Sequence, residues 1–224
     1  METYVIVHDE RLMRNFPFEV KWVKVGNHNK FSGGIIAREL GENIEGRPNL
    51  LAYTAWYALV HNGYINSDEF YLMLEYDVDL TENFIDVVSP HIKPGRLIGF
   101  SPRLIDDKLF FGSRIMDLMI RSIKETYQVD AWEIVDREKM SGRTLWCPSS
   151  NCIIQGKDMI SYVNWFDRLL PFYRRKPGSA YYHERALRIW MAINDIEPFC
   201  IENVLSHKCR LSHRIRYPVL KRED

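Results

Sequence analysis

The length and charge balance of the chain exclude several classes of protein. The 224 residues, of which 46% are hydrophobic and 13% aromatic, suffice for one compact domain with a sizeable core and exclude a disordered or fibrous chain. Lysine plus arginine and aspartate plus glutamate both total 30, so the chain lacks the overall positive charge of a non-specific nucleic-acid binder. We therefore expect no nucleic-acid partner, and any anion site has to be local.

The first half of the chain alternates predicted strands with a predicted helix. Residues 4–7 and 18–25 are β-branched or aromatic runs that end in polar residues, as strands do. Residues 27–48 are rich in glycine and polar residues and are predicted to be mostly loop. Residues 49–63 place apolar side chains at helical spacing and end in glycine, and the apolar run at 70–80 follows as a third strand.

The second half is predicted to hold helices and further short strands. Apolar residues recur at helical spacing, as do Met116, Ile120 and Ile123 in the first of these helices. The predicted helices span 113–127, 158–170 and 182–194, and the predicted strands span 96–100, 108–111, 131–137 and 152–156.

This alternation of strands and helices favours an α/β fold with one mostly parallel sheet flanked by helices. In such sheets, ligands bind beyond the carboxyl ends of the strands. His8 and Asp9 follow the first predicted strand, and Asp77 and Asp79 lie at the end of the strand at 70–80. We therefore expect a polar ligand at this edge of the sheet, together with a divalent cation.

Asp77 and Asp79 form a D-x-D pattern, and alternation along a strand puts Glu75 on the same face. Carboxylate oxygens are hard ligands that suit Mg²⁺ or Mn²⁺, and a diphosphate can supply further oxygens. Residues i and i+2 of an ideal strand lie about 6.6 to 7 Å apart, so both carboxylates reach one ion only if the strand end bends. The alternative is that these acids are simply solvated at the end of the strand.

The cysteines and the apolar runs indicate a soluble chain in a reducing compartment. Cys147, Cys152, Cys200 and Cys209 match neither a zinc-finger spacing nor a dense disulfide framework, so we expect free thiols. The N-terminus has no basic segment followed by an apolar one, and the longest apolar run, 50–60, falls short of the ~18 residues of a membrane span. We expect a cytoplasmic protein without a membrane span.

The order of the predicted elements resembles that of glycosyltransferases of the GT-A fold. The first strand, the aromatic helix NLLAYTAWYALVHNGY and the strand ending in D-x-D carry the resemblance in the first half. The strand TLWCPSSNCIIQG, a helix, the helix YYHERALRIW and a polar tail containing histidine carry it in the second half. The order is also similar to that of small bacterial capsule-type transferases and of the transferase domains of large algal viruses. The resemblance implies a single Rossmann-like domain with a nucleotide-binding half at 1–80, an acceptor-binding half at 81–216 and a tail at 217–224.

The resemblance also implies a donor site at the carboxyl edge of the sheet. Asp77 and Asp79 match the D-x-D motif that holds Mn²⁺ or Mg²⁺ against the two phosphates of the donor, and Asp79 is expected to be the closer ligand. His8 and Asp9 match positions that contact the base and the ribose. Tyr53, on the first helix, is expected to stack on the base or bind the ribose, with packing in the core as the alternative.

The charged tail supplies further candidates by the same resemblance. His207 is expected to be a third metal ligand, with His213 as a second possibility, and Lys208 and Arg210 are expected beside the diphosphate. A nucleic-acid arm or a solvated terminus would carry the same residue types. The scarcity of aromatic residues in the tail disfavours a groove for single-stranded nucleic acid.

Glu184 in the helix YYHERALRIW is the candidate general base. An inverting transfer needs a carboxylate that takes the proton of the acceptor hydroxyl, and related enzymes often carry an E-D pair at the start of this helix. Here the second residue of that pair is Arg185, which departs from the pattern. The alternative role for Glu184 is an exposed i,i+4 ion pair with Arg188.

Taken together, these features predict a metal-dependent glycosyltransferase. It would move a sugar from a nucleotide-diphosphate donor, expected to be a UDP-sugar, to a hydroxyl of a glycan or glycoprotein, with inversion at the anomeric carbon. A sugar-phosphate nucleotidyltransferase is one alternative, although no glycine-rich loop follows the first strand. A non-catalytic glycan- or partner-binding domain on the same fold is the other.

Overall fold

The structure is a computed structural model of the 224-residue chain. It describes residues 1–26, 31–45, 50, 52–105, 114–146, 150–173 and 180–207.

A seven-stranded sheet forms the centre of the described part of the chain. Its strand order is β10-β6-β9-β4-β1-β2-β3, and every neighbouring pair is parallel except the two that involve β9. The predicted α/β fold with a mostly parallel sheet is therefore confirmed. The strands are β1 Glu2–Val7, β2 Lys21–Lys24, β3 Gly34–Ile36, β4 Phe70–Glu75, β6 Arg96–Gly99, β9 Cys152–Gln155 and β10 Glu197–Cys200.

Two small antiparallel ladders lie outside the central sheet. Strand β5, Val78–Leu80, pairs with β11, Leu205–His207, and strand β7, Arg103–Leu104, pairs with β8, Leu145–Trp146. The segment predicted as one strand at 70–80 is thus two strands, because β4 ends at Glu75 and a turn precedes β5.

Helices cover both faces of the sheet. Side chains alternate along the strands, so Tyr4, Ile6 and Met73 join one core with α1 and α3 to α6, while Val5 and Leu72 join a second core with α2 and β5. The helices are α1 Ala52–His61, α2 Phe84–Val88, α3 Arg114–Tyr127, α4 Ala131–Met140, α5 Gly156–Asp167 and α6 Ala180–Ile193.

The strand predicted at 131–137 is wrong, because this segment is helix α4. The Asp130 side chain caps the helix by accepting a hydrogen bond from the backbone N–H of Trp132 at 3.0 Å. Ala131, Ile134 and Val135 are buried, a spacing of three and four residues that fits a helix and not a strand. The strand predicted at 108–111 lies outside the described residues.

Candidate active site

The carboxyl end of β4 supplies the bend that a D-x-D site needs. The backbone N–H of Glu75 donates to the side-chain oxygen of Asn151 at 2.6 Å, and the N–H of Tyr76 donates to the carbonyl of Ile6 at 3.0 Å. The chain then turns at Tyr76 and Asp77 before β5 pairs with β11. The two aspartates therefore lie on different elements, Asp77 in the turn and Asp79 in β5.

Asp77 presents an unpaired carboxylate oxygen at this turn. Its Oδ1 atom is buried, and no hydrogen-bond partner for it exists among the described residues. A buried carboxylate oxygen without a partner is costly, so a cation or a hydrogen-bond donor is needed there. This chemistry fits Mn²⁺ or Mg²⁺ at Asp77.

Asp79 already has a cationic partner, Arg14, which was not among the residues predicted for the site. The Asp79 side chain is 51% exposed, and its Oδ1 accepts a hydrogen bond from Arg14 Nη1. The guanidinium carbon of Arg14 lies 4.9 Å from the centroid of the Phe16 ring. Arg14 is a single basic residue in an irregular segment, so no periodic pattern in the sequence pointed to it.

His207 lies beside the D-x-D segment through the β5–β11 ladder. Its Cα is opposite that of Val78, the residue between the two aspartates, and its side chain is exposed. Within the described ranges, no three His, Cys, Asp or Glu side chains are close enough together to hold a metal ion. The fold thus brings the three predicted ligands to one place, but the side chains as they stand do not converge on one point. Lys208, Arg210 and His213 lie outside the described residues.

His8 and Asp9 follow β1 next to this turn. The His8 ring packs edge-on against Tyr76, with 4.8 Å between the ring centroids. The Asp9 side chain accepts hydrogen bonds from the backbone and guanidinium of Arg11, at 3.0 Å and 2.5 Å, and caps the short 3₁₀ helix Glu10–Leu12. Both residues lie where a donor nucleotide was predicted, although Asp9 also has this capping role.

Tyr53 does not reach the edge of the sheet. It is completely buried in α1, and its hydroxyl donates to the carbonyl of Val163 at 3.2 Å and to Asp167 Oδ1 at 2.5 Å. Its ring packs against Phe166, with 4.6 Å between the ring centroids. Because Tyr53 is completely buried, its ring does not contact a nucleotide in this structure. The structure fits the alternative prediction, that Tyr53 packs in the core.

Glu184 lies near the start of α6, close enough to Glu75 at the end of β4 for its charge to act on that carboxyl. Burial raises its pKa to about 7, and the neighbouring Arg185 lowers it only in part. Burial also raises the pKa of Glu75 to about 8, with smaller contributions from the negative charges of Asp77 and Glu184. Glu184 and the D-x-D strand end therefore lie within electrostatic reach of Glu75. At neutral pH, Glu184 is close to half ionised and is able both to accept and to release a proton.

The alternative role of Glu184, an exposed ion pair with Arg188, is wrong, because Arg188 is buried and binds other groups. Arg188 is 3% exposed, and its guanidinium binds Glu138 at 2.8 Å and the backbone carbonyls of Leu145 and Arg143. These contacts tie α6 to α4 and β8. Arg188 thus fixes the position of the helix that carries Glu184.

A cleft of about 460 Å³ opens beside the D-x-D segment. Its lining combines carboxylates, hydroxyls and apolar side chains, and includes Asp79, Thr81, Phe100, Pro102, Glu202 and Ser206. A cleft of this size holds a small ligand of the size of a sugar ring with neighbouring groups.

Comparison with known proteins identifies the fold. No protein-family model matches the sequence, and no curated protein sequence matches it. The chain is similar in structure to WbbM, a bifunctional glycosyltransferase solved in its apo form, with a TM-score of 0.67 and 12% sequence identity over 92% of this chain. The match covers 45% of the WbbM chain, so this chain spans less than half of that protein. No helix in the described ranges is long and apolar enough to cross a membrane. The chain therefore has a Rossmann-like α/β fold that is similar to the matched part of WbbM.

Proposed function

We propose that the chain is a metal-dependent glycosyltransferase that moves a sugar from a nucleotide-diphosphate donor to a hydroxyl of a glycan, with inversion. The observation that carries this proposal is the unpaired Asp77 oxygen that follows β4, beside Glu75, on a fold similar to that of a solved glycosyltransferase. The charge of Glu184 also reaches Glu75. A UDP-sugar donor, a glycan or glycoprotein acceptor and a cytoplasmic location are the predictions that accompany it.

The donor would bind at the carboxyl edge of the sheet. Asp77 and Asp79 would hold the divalent cation, with His207 near enough along β11 to join them. When bound, the cation supplies positive charge that stabilises the departing diphosphate. His8 and Asp9, which follow the neighbouring strand β1, would contact the nucleoside.

Glu184 would act on the acceptor. Its ionised carboxylate takes the proton of the acceptor hydroxyl while the hydroxyl oxygen forms a bond to the anomeric carbon. The bond between that carbon and the diphosphate oxygen breaks with its electron pair going to the diphosphate. The cleft beside Asp79 is the place proposed for the sugar groups, because Asp79, Thr81 and Ser206 offer polar atoms to hydroxyls there.

Calorimetric titration with UDP tests the donor site. We expect UDP to bind in the presence of Mn²⁺ and to lose most of its affinity when a chelator removes the metal. Asp77→Asn should weaken binding by about tenfold or more, because it removes a charge from a direct ligand. Asp86→Asn, which changes an exposed carboxylate on α2, is the matched control and should bind as the wild type does. Equal UDP affinity with and without metal would contradict the proposal.

A product assay separates this function from the alternatives. A glycosyltransferase releases UDP from a UDP-sugar, whereas a nucleotidyltransferase releases pyrophosphate from a nucleoside triphosphate and a sugar phosphate. A thermal-shift panel of nucleotide sugars with Mn²⁺ identifies the donor first, because a ligand that binds only the folded state raises its melting temperature. Binding without turnover of any donor and acceptor would favour a non-catalytic domain.

A further inference from the structure

Arg14 has an incomplete set of partners beside the proposed metal site. It lies in the segment between the 3₁₀ helix Glu10–Leu12 and β2, and its side chain is 20% exposed. Nη1 binds Asp79. Nε and Nη2 are both buried, and no hydrogen-bond partner for either exists among the residues that the structure describes.

The two unpaired nitrogens form one edge of the guanidinium. Parallel N–H groups along such an edge match the spacing of phosphate or carboxylate oxygens, which is why arginine binds these anions through two hydrogen bonds. Buried donors of a charged group that have no acceptor are costly. The pairing with Asp79 therefore supplies a hydrogen-bond acceptor only to Nη1 of Arg14. A ligand with two oxygens beside Nε and Nη2 would supply acceptors to the other two nitrogens.

A divalent cation at the same carboxylate would compete with Arg14. The guanidinium occupies Asp79 Oδ1, and two cations on one oxygen repel each other strongly at such short range. Asp79 is the more exposed of the pair, with 51% of its side chain accessible against 20% for Arg14, so an ion reaches this pair from the side of Asp79. Binding of the cation would thus free the guanidinium at the point where a donor diphosphate would lie.

We propose that Arg14 is the resting counter-ion of Asp79, that the divalent cation bound with the donor displaces it, and that the released guanidinium binds phosphate oxygens of the donor through Nε and Nη2. This inference rests on the proposed function, because it needs a cation and a diphosphate at the D-x-D segment. In this role, Arg14 lowers the affinity for the metal alone and raises the affinity for metal and nucleotide together.

Two binding measurements with opposite expected signs test this role. Electron paramagnetic resonance measures the affinity for Mn²⁺ alone, and calorimetry measures the affinity for UDP at saturating Mn²⁺. In Arg14→Gln, Mn²⁺ alone should bind about two- to fivefold more tightly, the size expected from removing a partly exposed ion pair. UDP should bind about tenfold or more weakly, because a charge-assisted bidentate contact is lost.

Two further variants separate charge from geometry. Arg14→Lys keeps the competing charge but lacks the planar edge, so its Mn²⁺ affinity should match the wild type while UDP affinity falls. Arg96→Gln is the matched control. Arg96 is 13% exposed, binds Glu197 at 2.6 Å and lies 4.2 Å from the Phe199 ring centroid. It therefore has an ion pair and a nearby ring as Arg14 does, but at the first residues of β6 and β10 and not at the D-x-D segment. Both affinities should stay at wild-type values in this control.

The outcomes distinguish failure of this role from failure of the proposed function. Unchanged Mn²⁺ and UDP affinities in Arg14→Gln would overturn the role of Arg14 and leave the donor site standing, provided that Asp77→Asn still loses UDP. Weaker binding of Mn²⁺ alone in Arg14→Gln would also overturn it. If the wild type bound neither Mn²⁺ nor UDP, the proposed function itself would fall. Melting curves verify that Arg14→Gln folds, and Arg14→Lys supplies the UDP measurement if it does not.

Discussion

Replacement of Glu184 by glutamine removes a carboxylate while keeping the size and helix position of the side chain. If Glu184 takes the acceptor proton, turnover should fall by roughly 10²- to 10⁴-fold, the usual contribution of a general base. UDP affinity should stay within about twofold, because Glu184 acts on the acceptor and not on the diphosphate.

The pKa of Glu184 sets the pH profile of the wild type. With a pKa of about 7, about a tenth of the carboxylate is ionised at pH 6 and about nine tenths at pH 8. The kcat/KM should therefore rise about tenfold between these two pH values and level off above them. In Glu184→Gln this rise should disappear together with the activity.

A stability measurement ensures that lost activity is not lost folding. The folded-state pKa of Glu184 is raised from 4.5 to about 7, so its contribution to stability is fully present below pH 4.5 and is lost as the pH rises through 7. A neutral glutamine avoids this loss, and Glu184→Gln should melt no lower than the wild type at pH 8. Glu133→Gln, an exposed substitution on α4, is the control for both assays. Near-normal turnover of Glu184→Gln, or a wild-type pH profile in it, would refute the assignment of the base.

Two further substitutions test the packing of the core away from the proposed donor site. In a urea titration, Gly156→Ala should lower the free energy of unfolding by about 1 to 3 kcal/mol, because the added Cβ would lie 1.9 Å from the backbone oxygen of Asn66. The control is Gly41→Ala, which should leave the free energy of unfolding nearly unchanged, because the atom nearest to its added Cβ would be 3.6 Å away. Tyr53→Phe should lower the free energy of unfolding by about 1 to 3 kcal/mol, because the hydrogen bond to Asp167 is lost, and UDP affinity should stay unchanged. A loss of UDP affinity without a loss of stability would show that Tyr53 contacts the donor.

The secondary-structure elements with a clear apolar periodicity could be predicted from the sequence. Strands β1, β4 and β9 and helices α1, α3, α5 and α6 all overlap their predicted ranges, because each carries an apolar repeat that matches its own secondary structure. Helix α4 was misread because AWEIV reads as an apolar strand until the cap at Asp130 and the burial of Glu138 are known. Strands β10 and β11 were not predicted because they are only four and three residues long, and β10 contains a proline, which is uncommon inside a strand.

The site was only partly predictable, for a similar reason. The D-x-D pattern follows a strong apolar run, so its place near the end of a strand could be predicted. The turn that puts the two aspartates on different elements could not be predicted from alternation. Nor could the partner of Asp79 be predicted, since Arg14 is 65 residues away and comes from an irregular segment. Tyr53 was predicted at the donor site because an aromatic residue on a helix gives no sign of which side chains surround it. Here its hydroxyl is hydrogen-bonded to Val163 and Asp167 of α5.

Glu75, at the end of β4, and Asp77 and Asp79, which follow it, have three different surroundings, and this difference decides what each can do. Burial keeps Glu75 largely protonated at neutral pH, so it is a poor cation ligand there and can stand near Glu184 without a full repulsion between two charges. Asp77, in the turn, keeps an unpaired oxygen, and Asp79 is exposed and balanced by Arg14. A straight strand would have given all three one face and one environment. The bend at Tyr76 and Asp77 separates an acid suited to hold a proton from two acids suited to hold a cation, and it does so within five residues of chain.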